Sequence, residues 1–484
     1  MAAVQPSYED HVRTFLDSAA DRPTLGLVYG RRRIGKSTLL ERIADDRNGF
    51  YWEATRAESA VHLARLGAAI GEHVGVGPLD LSSWEEAFHQ LLRLGAGAAV
   101  PVVVDEFGYV LEADRSADSV VAAALGPAGR HKAGGRARLI LCGSALAMMQ
   151  SLTSGQAPLR GRAGMELVMH PATFREAALR LGERPDLQLA TRVYAVIGGV
   201  IGYATDMVDF DLPSRRAGFD RWVARRVLSP AATLHHEAAT LLSEDPTLSA
   251  GSPIIYHSIL GAIANGSVTA GTIANRLRRS VPNIDPALKR LVAAGFVVRH
   301  EDPSRSQRPM YALGDPFLQF HYAILEPHGT LLRDRDPAAI WSQRLAHAFD
   351  SRVWGPVFEE QARQWVRRYA DEATVGGPPD HIGPSFVTVD GKERQLDVVV
   401  AAAGDERTQP VERRITAIGE AKAGDTVEVR HLHALEQARL AFGQRALRAK
   451  LLLFAPRFTR DLEAEAGRRD DVELVDLDRL YHGA

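Results

Sequence analysis

Gly30-Arg31-Arg32-Arg33-Ile34-Gly35-Lys36-Ser37 reads G-x-x-x-x-G-K-[ST], a spacing that does phosphate chemistry. The glycines let backbone N–H groups close on phosphate oxygens at the positive end of a following helix. The lysine then neutralises the β and γ oxygens, and the Ser37 hydroxyl ligates Mg²⁺. The cradle runs from Gly30 through Arg31, Arg32, Arg33, Ile34, Gly35, Lys36 and Ser37 to Thr38, and the ligands it calls for are ATP and Mg²⁺. Lysine is scarce here, six of 58 basic residues, so a lysine inside a motif carries unusual weight. Further on, Pro101-Val-Val-Val-Asp105-Glu106 ends an apolar run in two carboxylates. A hydrolytic site needs both: Asp105 to hold the metal through its water shell and Glu106 to orient the attacking water. Cys142-Gly143-Ser144 puts a hydroxyl at another strand end, either a polar sensor beside the γ-phosphate or the cap of the next helix. Arg160 and Arg162, flanking Gly161, are either charge-sensing arginines acting in cis or in trans or ordinary surface cations.

A second constellation lies near the C-terminus. Glu420-Ala421-Lys422 on a strand puts both charged side chains on one face. With Asp397 on the preceding strand, the glutamate can hold Mg²⁺ while the lysine stabilises developing charge or orients water. Glu359, at the start of the helix before them, joins as a third carboxylate. The other acid-x-Lys triplet, Asp390-Gly391-Lys392, is assigned to a hairpin turn. The order of helix, hairpin, Glu-x-Lys strand and helix with Gln437 resembles the PD-(D/E)xK nuclease core. The alternative is an exposed Glu420–Lys422 ion pair on an inactive domain.

A third feature is electrostatic. Between Tyr256 and Tyr311 there are eight basic residues against three acidic ones, in a chain whose formal charge is −2. Three short helices (Tyr256 to Ala264, Thr272 to Leu277, and one capped by Asp285 with Pro286 at its first position) and two strands (Phe296 to Arg299, Met310 to Leu313) make a winged helix-turn-helix. A basic patch on that scaffold is a footprint for double-stranded DNA, with Lys289 and Arg290 in the major groove and Arg305 and Arg308 on the wing. Winged helices also serve as packing modules between domains.

The elements that must hold these residues can be read from apolar periodicity. Strands at Leu25 to Tyr29, Phe50 to Glu53, Val100 to Val104, Leu139 to Cys142 and Met165 to Met169 alternate with helix-length segments, which predicts a parallel sheet covered on both faces. From Pro171 to Leu242 the pattern turns helical. Glu326 to Pro337 reads as a linker. After it come an amphipathic helix through Phe358, Ala362, Trp365, Val366 and Tyr369, strands Phe386 to Val389 and Leu396 to Ala401 about an Asp-Gly turn, strand Ile415 to Ala421, a helix to Phe442, and strands Leu451 to Ala455 and Val472 to Leu477. The predicted fold class is therefore multidomain α/β: a P-loop domain with a parallel sheet and a following helical segment over 1–245, a winged helix over 246–325, and over 338–484 an α/β domain that resembles the PD-(D/E)xK core. At 45% hydrophobic and 24% charged the composition is globular, and no apolar run approaches the roughly 18 residues that span a bilayer. No membrane partner is expected, and a cytoplasmic location is. The single cysteine excludes internal disulfides and multi-cysteine zinc sites.

Gly-Arg-Arg-Arg-Ile-Gly-Lys-Ser, Val-Val-Val-Asp-Glu-Phe, Leu-Cys-Gly-Ser and Pro-Leu-Arg-Gly-Arg, in that order and followed by a winged helix, resemble the archaeal-type ATPases related to the AAA+ and STAND NTPases. The resemblance implies a five-stranded parallel core, a helical lid and a C-terminal restriction-endonuclease-like domain. Asp315-Pro-Phe-Leu-Gln-Phe320 fits that family, whereas the Phe-x-x-Arg-x-x-Glu segment usual before the loop is missing and His321 stands where tryptophan is usual; His321 is read as packing. Three functional readings follow: an ATPase that licenses a C-terminal nuclease, an ATP-switched DNA-binding regulator, and a STAND-like scaffold that forms homo-oligomers with ATP.

Overall fold

A strand with no polar face must be covered on both sides, and the three central strands of the first sheet of the computed structural model are of this kind. The structure describes residues 7–249, 251–305, 308–404, 412–424 and 426–484, side chains 132 and 133 excepted. β1 (Thr24–Tyr29), β2 (Phe50–Glu53), β3 (Pro101–Asp105), β4 (Arg138–Gly143) and β5 (Ala163–Val168) form a sheet in the order β2-β3-β4-β1-β5, with every pairing parallel. β3 and β4 are buried along their whole length. Leu25, Leu27, Val102, Val104, Leu139 and Leu141 share one core with Trp84, Phe88 and Phe107.

The chain divides into two compact units. The first reaches to Pro171 and takes in Asp245–Thr247; the second comprises Ala172–Glu244 and Leu248–Ala484. The expected division at 245/246 does not coincide with this one, because the helical segment after Pro171 shares its core with the C-terminal region. Phe174 packs edge-on against Tyr369 and Tyr481, the Arg175 guanidinium lies 3.7 Å from the Tyr369 ring, and it donates to the Leu480 carbonyl at 2.9 Å.

Within the second unit, α2 (Pro253–Ala264), α3 (Ala270–Arg276) and α4 (Val281–Ala293) precede the antiparallel hairpin β6 (Val297–His300) and β7 (Met310–Leu313). α4 begins at Val281 with Ser280 as N-cap and carries Pro286 inside it, so Asp285 is not the cap expected. Ile284, Ala287, Leu288 and Leu291 are buried together along one face. Burying Ile284 requires helix on its N-terminal side, and this packing tolerates the one hydrogen bond that Pro286 cannot donate. The expected linker is also a helix, α5 (Glu326–Asp334); its Leu332 is buried, a contact that the Pro and Arg/Asp-rich composition conceals. His321 is largely but not fully buried against Phe317 and Tyr322, and that burial pushes its ring down to about 4, as befits a packing residue.

α6 (Gly355–Arg368) leads into the second five-stranded sheet: β8 (His381–Val389), β9 (Lys392–Ala401), β10 (Ile415–Ala421), β11 (Lys450–Phe454) and β12 (Val472–Val475), in the order β12-β11-β10-β9-β8. β8 pairs antiparallel with β9 and β9 antiparallel with β10, whereas β10, β11 and β12 pair parallel. Asp390 and Gly391 take φ of 49° and 73° at the β8–β9 turn, the left-handed pair a two-residue hairpin needs. α7 (Val429–Phe442) covers the sheet through Leu432 and Leu435. No helix among the described residues is long and apolar enough to cross a membrane.

Candidate functional site

Gly30 follows β1, and a Cβ there would stand 2.3 Å from the Met169 carbonyl oxygen and 2.6 Å from Ile34 Cδ1, so only glycine fits. Gly35 closes the loop at φ 93° and caps α1 (Lys36–Asp46). The Lys36 side chain is buried in the loop, with Nζ donating to the carbonyls of Gly30 at 2.9 Å and Arg31 at 2.8 Å. Its charge therefore faces the concavity lined by the N–H groups of the helix start. Ser37 and Thr38 follow on the first turn. Arg32 donates to the Tyr109 hydroxyl at 2.7 Å. Burial raises the Asp245 carboxyl and outweighs the hydrogen bonds from Thr247 and the charges of Arg32 and Arg31, which favour its ionised form.

Because β4 lies between β1 and β3, the C-terminal ends of these three strands meet on one edge, where open α/β sheets place their ligands. They bring the glycine loop, Ser144 and the Asp105–Glu106 pair together. Asp105 is fully buried; its Oδ2 accepts from the Tyr51 hydroxyl and its Oδ1 from the Glu106 N–H, both at 2.7 Å. Glu106 holds φ 48° and ψ 43°, a left-handed conformation that costs a non-glycine residue of order 1–3 kcal/mol and tends to occur where function over-determines the backbone. Its carboxylate accepts from the Ser144 hydroxyl. Arg160 and Arg162 are exposed on the turn before β5, donating to the Gly155 and Pro158 carbonyls of that same turn.

Two residues here escaped sequence reasoning. The Tyr51 hydroxyl stands beside Ser37 as well as Asp105, and burial together with Asp105 raises its pKa. Glu53 pairs in register with Asp105, and burial plus the charges of Asp105, Glu106 and Glu41 raises its carboxyl. Glu53 ends a predicted strand, and that position was the available signal.

In the second unit, α6, β9 and β10 bring Glu359, Asp397 and Glu420 together with Lys422. Lys422 Nζ donates to Glu420 Oε1 at 2.7 Å, and Arg394, from β9, donates to Oε2 at 3.2 Å. Asp397 Oδ2 accepts the Ala421 N–H at 2.9 Å, and Arg363 of α6 donates to the Asp397 carbonyl at 2.7 Å. Burial first, then neighbouring carboxylates, raise the pKa of both Glu359 and Asp397. Arg363 and Arg394 were missed because only the fold brings them to these carboxylates.

The four basic residues expected at DNA lie in two places. On α4, Lys289 is exposed and paired with Asp285 at 2.7 Å, and Arg290 is half-buried. Arg276, at the end of α3, and Arg278 and Arg279, on the turn leading into α4, are exposed. Beyond β6, Arg308 forms a two-pronged pair with Glu393 of β9 (Nη2 to Oε2, 2.9 Å) and lies over the Phe386 ring, while Arg305 comes within 3.6 Å of the same glutamate. Buried Asp302 accepts from Ser304 at 2.9 Å and from Ser385 at 2.8 Å beside them.

No family model matches the chain. An uncharacterised protein of Methanocaldococcus jannaschii is 23% identical over 347 residues, 70% of this chain and 72% of that protein. Among solved structures the chain is similar to a Walker-type ATPase of Pyrococcus abyssi, with 21% identity, a TM-score of 0.49 and coverage of 65% of this chain and 94% of that one. It is also similar to the ORC2 protein of Aeropyrum pernix, with 17% identity, a TM-score of 0.40 and coverage of 66% and 92%.

Proposed function

We propose that this protein binds and hydrolyses ATP at the first sheet, holds double-stranded DNA through a winged helix formed by α2–α4 and β6–β7, and cuts phosphodiesters at a PD-(D/E)xK-like centre on the second sheet. The observation that carries the reading is the meeting of the Lys36 loop, Ser144 and Asp105–Glu106 at one sheet edge. Phosphoryl transfer depends on positioning and charge stabilisation, and these residues divide that work. Loop N–H groups and Lys36 hold the phosphates, Ser144 fixes the Glu106 carboxylate, and Glu106 orients water toward the γ-phosphorus. Ser37 and Asp105 offer the hard oxygen donors that Mg²⁺ prefers, and a bound ion there supplies charge neutralisation between the β and γ phosphates.

At the second sheet, Asp397 and Glu420 are likewise oxygen donors, and burial first and then repulsion raise Asp397 and Glu359; the repulsive part is what a divalent cation would relieve. Among the described residues no three His, Cys, Asp or Glu side chains are grouped so as to hold a metal ion, so Mg²⁺ there would rest on Asp397 and Glu420 with water completing its shell. Lys422 is within reach of Glu420 to neutralise a phosphate oxygen or orient water there. For DNA, the exposed Arg276, Arg278 and Arg279 are better disposed than Arg305 and Arg308, which Glu393 engages, and Lys289 is exposed but paired with Asp285.

The test is hydrolysis of ATP together with cleavage of linear, circular and single-stranded DNA in Mg²⁺ or Mn²⁺, comparing wild type with Lys36→Ala, Asp397→Asn and Glu420→Gln. Cleavage lost in Glu420→Gln, with ATP hydrolysis intact, supports both activities. Hydrolysis without cleavage under every condition selects the second reading, an ATP-switched DNA-binding protein, which the engagement of both Glu420 oxygens by Lys422 and Arg394 favours.

A further inference from the structure

Between β6 and the start of β8 lies a cavity of about 430 Å³, within the size range that holds small ligands. Five of its lining residues are basic: Arg299, His300, Arg367, His381 and Arg413. Its three carboxylates already have partners: Glu301 pairs with Arg299, Glu360 with Arg363 at 2.8 Å, and Asp380 accepts the Ala403 N–H at 2.7 Å. Arg367 approaches Glu360 only to 3.9 Å, so its charge is not fully engaged there, and Arg413 adds a further guanidinium to the lining. His300 is 8% exposed, and its Nε2 stands 3.5 Å from a Glu360 oxygen without forming a hydrogen bond. A buried ring nitrogen left without a partner calls for an explanation. Guanidinium forks set beside an imidazole suit a tetrahedral oxyanion better than any neutral ligand.

We propose that this cavity binds a phosphate group, with Arg367 and Arg413 as its charge partners and His300 Nε2 as its buried hydrogen-bond donor. Burial pushes the His300 ring down to about 4, which leaves a neutral imidazole with one N–H to give. The site is separate from the glycine loop, which belongs to the other compact unit. It adjoins the carboxylate centre through α6: Glu360 lines the cavity and holds Arg363, and Arg363 holds the Asp397 carbonyl. The phosphate can belong to a free nucleotide or to a nucleic-acid end, since both present the same oxygens.

The experiment uses the full chain with Lys36→Ala, which silences the loop, and follows labelled inorganic phosphate and AMP by equilibrium dialysis at low ionic strength. Saturable binding is expected, weakened about tenfold or more by Arg367→Ala with Arg413→Ala, as loss of charged hydrogen bonds implies. His300→Gln, which keeps a donor, should bind better than His300→Leu. Arg367 is 45% exposed and Arg413 is partly exposed, so an unchanged melting temperature separates lost binding from lost fold. Competition by AMP but not by a 5′-phosphorylated trinucleotide assigns the phosphate to a free nucleotide, and the reverse assigns it to a strand end. Absence of saturable binding, or binding that the arginine variants leave unchanged, overturns the proposal.

Discussion

The two five-stranded sheets each gather carboxylates and a lysine, and they neutralise them in opposite ways. In the first, Lys36 is turned toward backbone carbonyls, while Asp105 and Glu106 are held by hydroxyl and N–H donors from Tyr51, Ser144 and the Glu106 backbone. In the second, Lys422 and Arg394 lie directly on Glu420, and Glu359 and Asp397 carry raised pKa values from burial and mutual repulsion. On the proposed function, the first arrangement leaves its negative charge open to a metal and its positive charge open to phosphates. The second is closed on itself, so a metal there would have to displace a cation from Glu420. The comparison therefore predicts a preorganised centre in one unit and a centre that responds to pH and cations in the other.

The largest effect should come from Lys36→Ala. Removing a preorganised charge from a transition state typically lowers kcat about 10²–10³-fold, and ATP turnover should fall by that much while metal-dependent DNA cleavage in the absence of ATP persists. Loss of both activities would break the separation between the two centres. Ser144→Ala comes next: it leaves the loop intact but frees the Glu106 carboxylate, and about a tenfold loss in kcat, equivalent to 1.4 kcal/mol, is expected with little change in KM. An equal rise in KM would instead make Ser144 a phosphate-binding group.

How much of this contrast was legible follows from which contacts are local. The glycine loop, the Asp105–Glu106 strand end and the hairpin turn at Asp390-Gly391 each occupy a few consecutive residues, and their geometry is set by local backbone rules. Tyr51 and Glu53 reach Asp105 only because β2 pairs with β3, a lateral neighbour relation that no stretch of sequence states. Arg394 and Glu420 are 26 residues apart and meet through the β9–β10 pairing. The start of α4 was misread because Pro286 is a strong local signal, whereas the burial of Ile284 that overrides it is tertiary. The wing arginines looked like phosphate contacts by composition, yet their partner Glu393 lies 85 residues after Arg308.

A smaller effect tests the closed centre. Glu359 and Asp397 have folded pKa values above their unfolded ones, so the folded state binds more protons in that window, and stability falls as pH rises from the ordinary carboxylate range near roughly 4 through the raised values. Glu359→Gln should flatten this decline, measured as melting temperature against pH, by under about 1 kcal/mol once solvent screening is allowed for. Mg²⁺ should stabilise wild type more on the alkaline side than on the acid side of the window, where protons compete with it. A pH profile unmoved by the substitution would remove mutual repulsion as the property that distinguishes this centre from the first.

The smallest effect on stability concerns Glu393, yet it decides how the basic residues divide. Its pairs with Arg305 and Arg308 are partly exposed, with Glu393 itself 43% exposed, so Glu393→Ala should cost only about 0.2–1 kcal/mol. The two guanidinium groups it releases are then free to neutralise phosphates, and each new contact steepens the slope of log affinity against log salt by about 0.9. If the wing lies along DNA, binding of a duplex should tighten at low salt and its slope should steepen by up to about 2 such contacts. An unchanged slope would mean that β6 and β7 face the C-terminal sheet whatever their charge. DNA contact would then rest on Arg276, Arg278, Arg279 and Lys289, whose substitution by alanine should weaken binding to all sequences alike and make the slope shallower, as loss of phosphate contacts requires.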